Sequence, residues 1–188
     1  MQDHPKLSLT AFRRAAPSAL VLGFFLIALA PLAHAANWSY RVDFDKMTSK
    51  WWEYAQVRSD NTLNLEFPYA SDTNYGTLLI RKREDKSTPE VYFLVDKGQI
   101  LCPSYGDGCQ VTVRFDQAQP VRFGGIGSSD HSSTEVFIRD SSRFIASASK
   151  AKKILIQVTM FQAGRQTLEF TTTEPLPAWK AQVKKAKK

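Results

Sequence analysis

The chain has 188 residues and a formal net charge of +7, from 25 Lys and Arg against 18 Asp and Glu. Its length suits one domain with a single core rather than two. The charge does not describe a basic face on a fold: residues 36–178 hold 17 cations and 17 anions, residues 1–35 carry an excess of two, and the other five are Lys180, Lys184, Lys185, Lys187 and Lys188.

The first 35 residues have the order of a cleavable signal peptide. Lys6, Arg13 and Arg14 precede an apolar run from Ala19 to Ala30, followed by Pro31 and the small-residue pattern Ala33-His34-Ala35. The apolar stretch of about 15 residues, broken by Pro31, is shorter than the roughly 20 that the alternative, an uncleaved membrane anchor, requires. Cleavage after Ala35 of the 188-residue chain leaves 153 residues. The expected address is periplasmic or secreted. Residues 36–178 are expected to form a single β-rich domain, and 179–188 a disordered basic tail.

Along the mature chain the apolar residues recur with a period of two, the pattern of half-buried strands. Trp38, Tyr40, Val42 and Phe44 alternate with Ser39, Arg41 and Asp43 in a first strand. Trp52–Ser59 reads as a second, and Leu63, Leu65 and Phe67 mark a third that stops before Pro68. Thr77–Lys82 and Val91–Val95 follow, joined by the charged stretch Arg83–Pro89. A turn at 96–99 leads into Ile100–Pro103, then Val111–Phe115 and Val121–Gly124. The Gly- and Ser-rich segment Gly124–Ser133 reads as a surface loop before a strand at Glu135–Arg139. Ser141 or Ser142 is placed to cap one short helix, at about 142–150, with Phe144, Ile145 and Ala148 facing inward. Ile154–Thr159 and Gln166–Thr172, separated by a turn at Ala163-Gly164, complete eight to ten short strands. The fold class expected is mainly β, an antiparallel sandwich or barrel with one helix over an end or edge.

Export decides how the cysteines are read. Cys102 and Cys109, with six residues between them, are expected to form one disulfide that staples a hairpin made of the strands on either side. The chain-entropy model assigns so small a loop about 2.5 kcal/mol. Beyond residue 35 the chain offers only these two cysteines and His131, too few N and S ligands for structural zinc, so neither a metal nor a cofactor is expected.

Candidate chemistry is sparse. His131 stands beside Asp130, Ser128, Ser129, Ser132 and Ser133, the residue types of a hydrolytic triad, but triads are assembled from distant segments and adjacent side chains do not aim at one another. No G-x-S-x-G elbow precedes a helix. The carboxylates Asp43 and Asp45, and Glu84 and Asp85, read as solvated and held ionised by Arg41, Lys46, Arg83 and Lys86. The glycines at 106 and 108 and at 124–127 read as turns rather than phosphate loops. Aromatics are more suggestive. Trp51 and Trp52 are adjacent, so one indole points to the core and the other outward. Beside Lys50 or Arg58, the outward one is placed to stack on a sugar ring or anchor a partner protein, the alternative being that it covers an open end of the sheet. The lysine tail, with Trp179 and Val183, suits an anionic membrane surface or simple solvation.

The strings Trp38-x-Tyr40, Asp45-Lys46-Met47-Thr48, Phe67-Pro68-Tyr69, Leu79-x-Arg81-Lys82, Gly98-Gln99-x-Leu101-Cys102 and Asp130-His131-Ser132-Ser133 resemble an uncharacterised family of exported bacterial β-rich proteins. More distantly, Val113-Arg114-Phe115-Asp116, Ser129-Asp130 and Ala151-Lys152-Lys153 with the following strand are similar to envelope proteins of the TagO/VasI type, associated with type VI secretion. The resemblance implies a periplasmic accessory or interaction module. The expected partner is an envelope protein or cell-wall polymer, and nucleic acid is a poor partner for an exported chain. The rival expectation is a small secreted hydrolase centred on His131.

Overall fold

The computed structural model describes residues 37–103, 108–174 and 176, all within one compact unit. The stretch expected to be a leader, the expected cleavage site and the tail lysines Lys180, Lys184, Lys185, Lys187 and Lys188 lie outside the described residues. Nine strands and one helix follow in order. They are β1 (Ser39–Asp45), β2 (Lys50–Thr62), β3 (Tyr75–Arg83), β4 (Glu90–Val95), β5 (Cys109–Phe115), β6 (Val121–Gly127), β7 (Glu135–Ile138), α1 (Ser141–Ala148), β8 (Lys153–Met160) and β9 (Gly164–Thr171). The strands form one antiparallel sheet in the order β1-β2-β3-β4-β7-β6-β5-β8-β9, the mainly β fold expected from the period of two.

That period sorts side chains between the two surfaces of the sheet. Ala55, Val57 and Ser59 of β2, Leu78 and Ile80 of β3, Val91, Phe93 and Val95 of β4, and Leu168 and Phe170 of β9 are buried on the inner surface. Together with inward residues of β5 to β8 they make one continuous core. The sheet rolls over so that its two halves face each other. Phe93 meets Phe170 edge-on, with ring centroids 6.2 Å apart, and Gly76 of β3 lies directly against Leu168 of β9.

Side chains, rather than a backbone ladder, join β2 to β9 among the described residues. The pairing of β2 with β3 shifts register between Arg58 and Thr62, which frees the intervening residues to reach across. The Asn61 amide then acts as a strand residue would: its Nδ2 donates to Thr167 O (3.1 Å) and its Oδ1 accepts from Glu169 N (2.8 Å). Asp60 Oδ2 accepts from Thr171 N (2.8 Å). Inside the bend, Ser59 Oγ accepts from Gly76 N (3.0 Å), so the buried hydroxyl is satisfied.

Four local expectations are corrected. Leu63 and Leu65 are buried as their alternation implies, but 63–67 forms no strand; Leu63 N bonds Asn74 O (2.7 Å), and Phe67 is 89% exposed. Ile100–Pro103 is likewise no strand, being held by a single bridge from Ile100 to Met160. Alternation records which side chains are buried, and a loop packed on a core edge produces it without a ladder. Cys102 and Cys109 are joined, with Cα atoms 4.2 Å apart. Their bond ties the 100–103 segment to the start of β5 rather than stapling a hairpin, since β5 pairs with β6 and β8. Strand β6 runs on to Gly127, so the surface loop begins at Ser128 rather than Gly124. Gly125 is needed inside β6 because a Cβ there would stand 2.7 Å from Val136 Cγ2 and 2.9 Å from Cys109 Sγ.

The helix is capped by Asp140, one residue before the expected serines, and ends at Ala148 rather than Lys150. Asp140 Oδ1 accepts from Arg143 N (3.2 Å), satisfying one of the free N–H groups of the first turn. On the inward side Phe144 enters the core edge-on to Phe115 and Phe123, with centroids 5.3 and 5.7 Å away. Position and packing make α1 the cover of the open end beside β5 and β6.

Candidate functional site

The outer surface of the rolled sheet has two unlike halves. Over β5, β8 and β9 it is an ordinary polar face. Thr112, Gln157 and Thr167 stand opposite one another across the three strands, Gln157 Nε2 donates to Thr167 Oγ1 (3.0 Å), and Lys153 pairs with Glu169 (2.6 Å).

Over β1, β2, β3, β4, β7 and β6 the same surface is built of aromatic rings and arginines. One row of directly opposed residues runs Arg41, Tyr54, Arg81, Glu90. A second runs Gln56, Leu79, Tyr92, Phe137, Ile126. Trp52 stands opposite Arg83. Cross-strand neighbours on one face lie within reach of long side chains, and here they interlock. The Arg41 guanidinium sits 4.5 Å from the Tyr54 ring centre. Those of Arg83 and Arg81 lie 5.1 and 5.2 Å from Trp52. Arg81 also lies 5.3 Å from Tyr92 and 5.8 Å from Phe137, and the last two rings stack at 4.9 Å. Such cation–π contacts contribute about 0.5–1 kcal/mol each where exposed.

Arg81 is the hub, and Glu90 fixes it. Arg81 Nη2 and Nε both reach Glu90 Oε2, at 2.6 and 2.8 Å, while Lys86 Nζ donates to Oε1 (2.7 Å). Burial works to raise the Glu90 carboxyl, but the hydrogen bonds and charges of Lys86 and Arg81 outweigh it and hold the group below its usual range. Burial pushes the Tyr92 and Tyr54 phenols up against the opposing charge of Arg81, so both stay protonated at neutral pH.

Beside this ladder lies an open cleft of about 520 Å³, between the turn that joins β3 to β4 and the adjoining ends of β6 and β7. Arg81, Arg83, Lys86 and Arg139 line it with one carboxylate, Glu90, over a floor that includes Phe137 and Ile126. Ile126 is 50% exposed. Arg83 grips Asp85 with two bonds of 3.0 and 3.1 Å, and hydrogen bonds from Arg83 and Lys50 hold that carboxyl low. Arg139 is tethered only loosely, its Nε donating to Gly125 O at 3.3 Å. Its stem lies over Gly124, where a Cβ would approach Arg139 Cδ to 3.3 Å.

Of the candidate interaction residues singled out from sequence, Trp52 is the one that joins this face, together with Arg41, Arg83 and Lys86, which were noted only as partners of carboxylates. It points outward, but Arg81 and Arg83 cover it; Lys50 and Arg58, the neighbours first considered, pair with Asp85 and Asp96 (3.3 and 3.1 Å). Trp51 lies at the rolled sheet's rim, 4.8 Å from Phe44, with its N–H on Glu84 Oε2 (2.9 Å). Asp43 pairs with Arg41 (2.9 Å). Bonds from the Thr48 hydroxyl and Met47 N–H hold Asp45 low. Sequence reasoning missed Arg81, Arg83, Tyr92, Phe137 and Arg139 as a set. Each is an outward residue of a strand or its end, but only the strand order brings them together.

His131 sits exposed in the loop after β6 at φ 62°, with its N–H on Ser128 O (3.1 Å). Asp130 Oδ1 accepts from Ser132 N (2.9 Å), and this bond with one from the Ser128 hydroxyl keeps the carboxyl low. Ser132 Oγ engages Thr134 Oγ1 (2.9 Å). The nearby hydroxyls and carboxylate thus shape a turn rather than serve the imidazole. Among the described residues no three His, Cys, Asp or Glu side chains gather as a metal site requires, and no helix is long and apolar enough to cross a membrane. Neither a protein-family model, nor a curated protein, nor a solved structure matches this chain.

Proposed function

We propose that this chain is a non-catalytic accessory or interaction protein of the cell envelope, exported to the periplasm or beyond, where it binds an envelope protein or a cell-wall polymer. The observation that carries the reading is the contrast between the two outer faces of one sheet. A domain that only had to stay dissolved has no use for six aromatic and apolar side chains, two of them (Leu79 and Tyr92) covered by their neighbours, beside five cations on one half of its outer face, and such residues are those that dominate recognition surfaces. Export is supported by the leader's charged, apolar and small-residue order and by a disulfide of the kind that oxidising compartments maintain. The resemblance of its sequence strings to exported envelope proteins supports the same reading.

Cells expressing the full chain test it by fractionation and thiol alkylation. The expected result is a chain shortened by about 35 residues in the periplasmic or secreted fraction, with Cys102 and Cys109 closed to alkylation. Full-length chain in the cytoplasm with both thiols free contradicts it. In parallel, His131→Ala is expected to leave envelope association intact and to abolish no turnover on an ester and peptidoglycan panel. Loss of a hydrolytic activity on that substitution would move the function to the alternative, a small secreted hydrolase centred on His131.

A further inference from the structure

We infer that the cleft beside β3 and β4 binds an acidic glycan, a sugar chain carrying carboxylate or phosphate groups, with the acid held by Arg139 and the neighbouring cations and a ring face laid over Phe137 and Ile126. The inference deepens the proposed function and rests on it.

Three features of the cleft lead there. Its lining holds Arg81, Arg83, Lys86 and Arg139 against Glu90, with Asp85 beside it as the partner of Arg83, so the cleft keeps an excess of positive charge and an anion is the complementary ligand. Arg81 and Lys86 are committed to Glu90 and Arg83 to Asp85, which fixes their positions, while Arg139 is held by one long bond to a backbone carbonyl and keeps most of its guanidinium donors for a ligand. The floor is apolar, and about 520 Å³ falls within the roughly 300–1,000 Å³ typical of small-molecule clefts.

Topology favours a glycan over an acidic peptide. The outward side chains that make the floor belong to β3, β4, β7 and β6, which are interior strands with both edges paired. An extended peptide would find no free strand edge to hydrogen-bond, the usual source of its affinity. A sugar chain is recognised by side chains alone, through ring stacking and charged or polar hydrogen bonds, and these are what this surface presents.

The test is calorimetric titration of the full mature chain with trigalacturonate, phosphorylated maltotriose, unmodified maltotriose and pentaglutamate. At least one acidic trisaccharide is expected to bind more tightly than maltotriose and pentaglutamate, and to weaken with added salt; which of the two binds names the acid. Arg139→Gln is expected to weaken it by roughly tenfold or more, Ile126→Ser by a smaller factor, and Gln157→Ala on the opposite face not at all. Both cleft positions are exposed, and an unchanged melting temperature confirms that the variants fold. Acidic trisaccharides that bind no better than maltotriose, equal binding by pentaglutamate, or full binding by both cleft variants would overturn the inference. None of these results touches export or the absence of hydrolysis, whereas a chain retained in the cytoplasm would remove the proposed function itself.

Discussion

Replacing Gly76 by alanine is expected to destabilise the domain by about 3 kcal/mol, the upper end of the usual cost of overpacking a core. At an ordinary backbone conformation the same change commonly stabilises by about 0.4–1 kcal/mol through the unfolded chain, so the sign of the effect is diagnostic. Here a Cβ would lie 2.5 Å from Leu168 Cδ1 and 2.8 Å from Phe93 Cε2. Both side chains are buried between the facing halves of the sheet, so making room requires β9 to move away from β3 at Leu168 and Phe93 of β4 to repack. Urea unfolding measures the cost. Trimming the obstacle should relieve it, so Gly76→Ala with Leu168→Ala should cost clearly less than the two changes summed. A single Gly76→Ala variant as stable as the parent would mean that the sheet does not roll over at this point.

Phe144→Ala is expected to cost about 3–5 kcal/mol, the range for removing a fully buried phenylalanine. The ring is fully buried, edge-on to Phe115 and Phe123, and α1 has only eight residues, too few to persist without its packing. The loss should therefore appear both in urea unfolding and as faster amide exchange through Ser141–Ala148, while the β1–β2 ladder, several strands away in the sheet, keeps its protection. A cost below about 0.5 kcal/mol, ordinary for a surface position, would mean that the helix does not seal this end of the core.

The strands were legible in the sequence because burial on one face imposes a period of two, and at Trp38–Phe44, Thr77–Lys82 and Ile154–Thr159 the pairing follows the period. The same pattern misleads at 63–67 and 100–103. There, core contacts alternate along a loop while the backbone bonds elsewhere, as Leu63 N does with Asn74 O. The closing contact was invisible for a related reason, since Asn61 replaces a strand's backbone with its side chain, a use no local pattern announces. The cap moved from serine to Asp140 because any of three adjacent polar residues has suitable chemistry and the geometry selects one.

The site was the least legible part. A charge count of zero for the body concealed the cleft, because Arg81, Arg83 and Lys86 meet Arg139 only after β4 pairs with β7, skipping the two strands between them in the chain. The adjacent tryptophans drew notice through rarity, yet what gives Trp52 its setting is a pair of arginines on β3. His131, conspicuous as a lone imidazole, lies in a turn whose neighbours bond to one another.

The most direct measurement of the central claim, that the arginine and aromatic face is the working surface, is site-specific photocrosslinking in the intact envelope. A photoreactive residue is placed either at Thr88, exposed at the rim of the cleft, or at Thr159, exposed on the opposite face. The account predicts an envelope adduct from position 88 that Arg139→Gln suppresses, and none from position 159. Equal labelling from both positions, or an adduct from 159 alone, would contradict it.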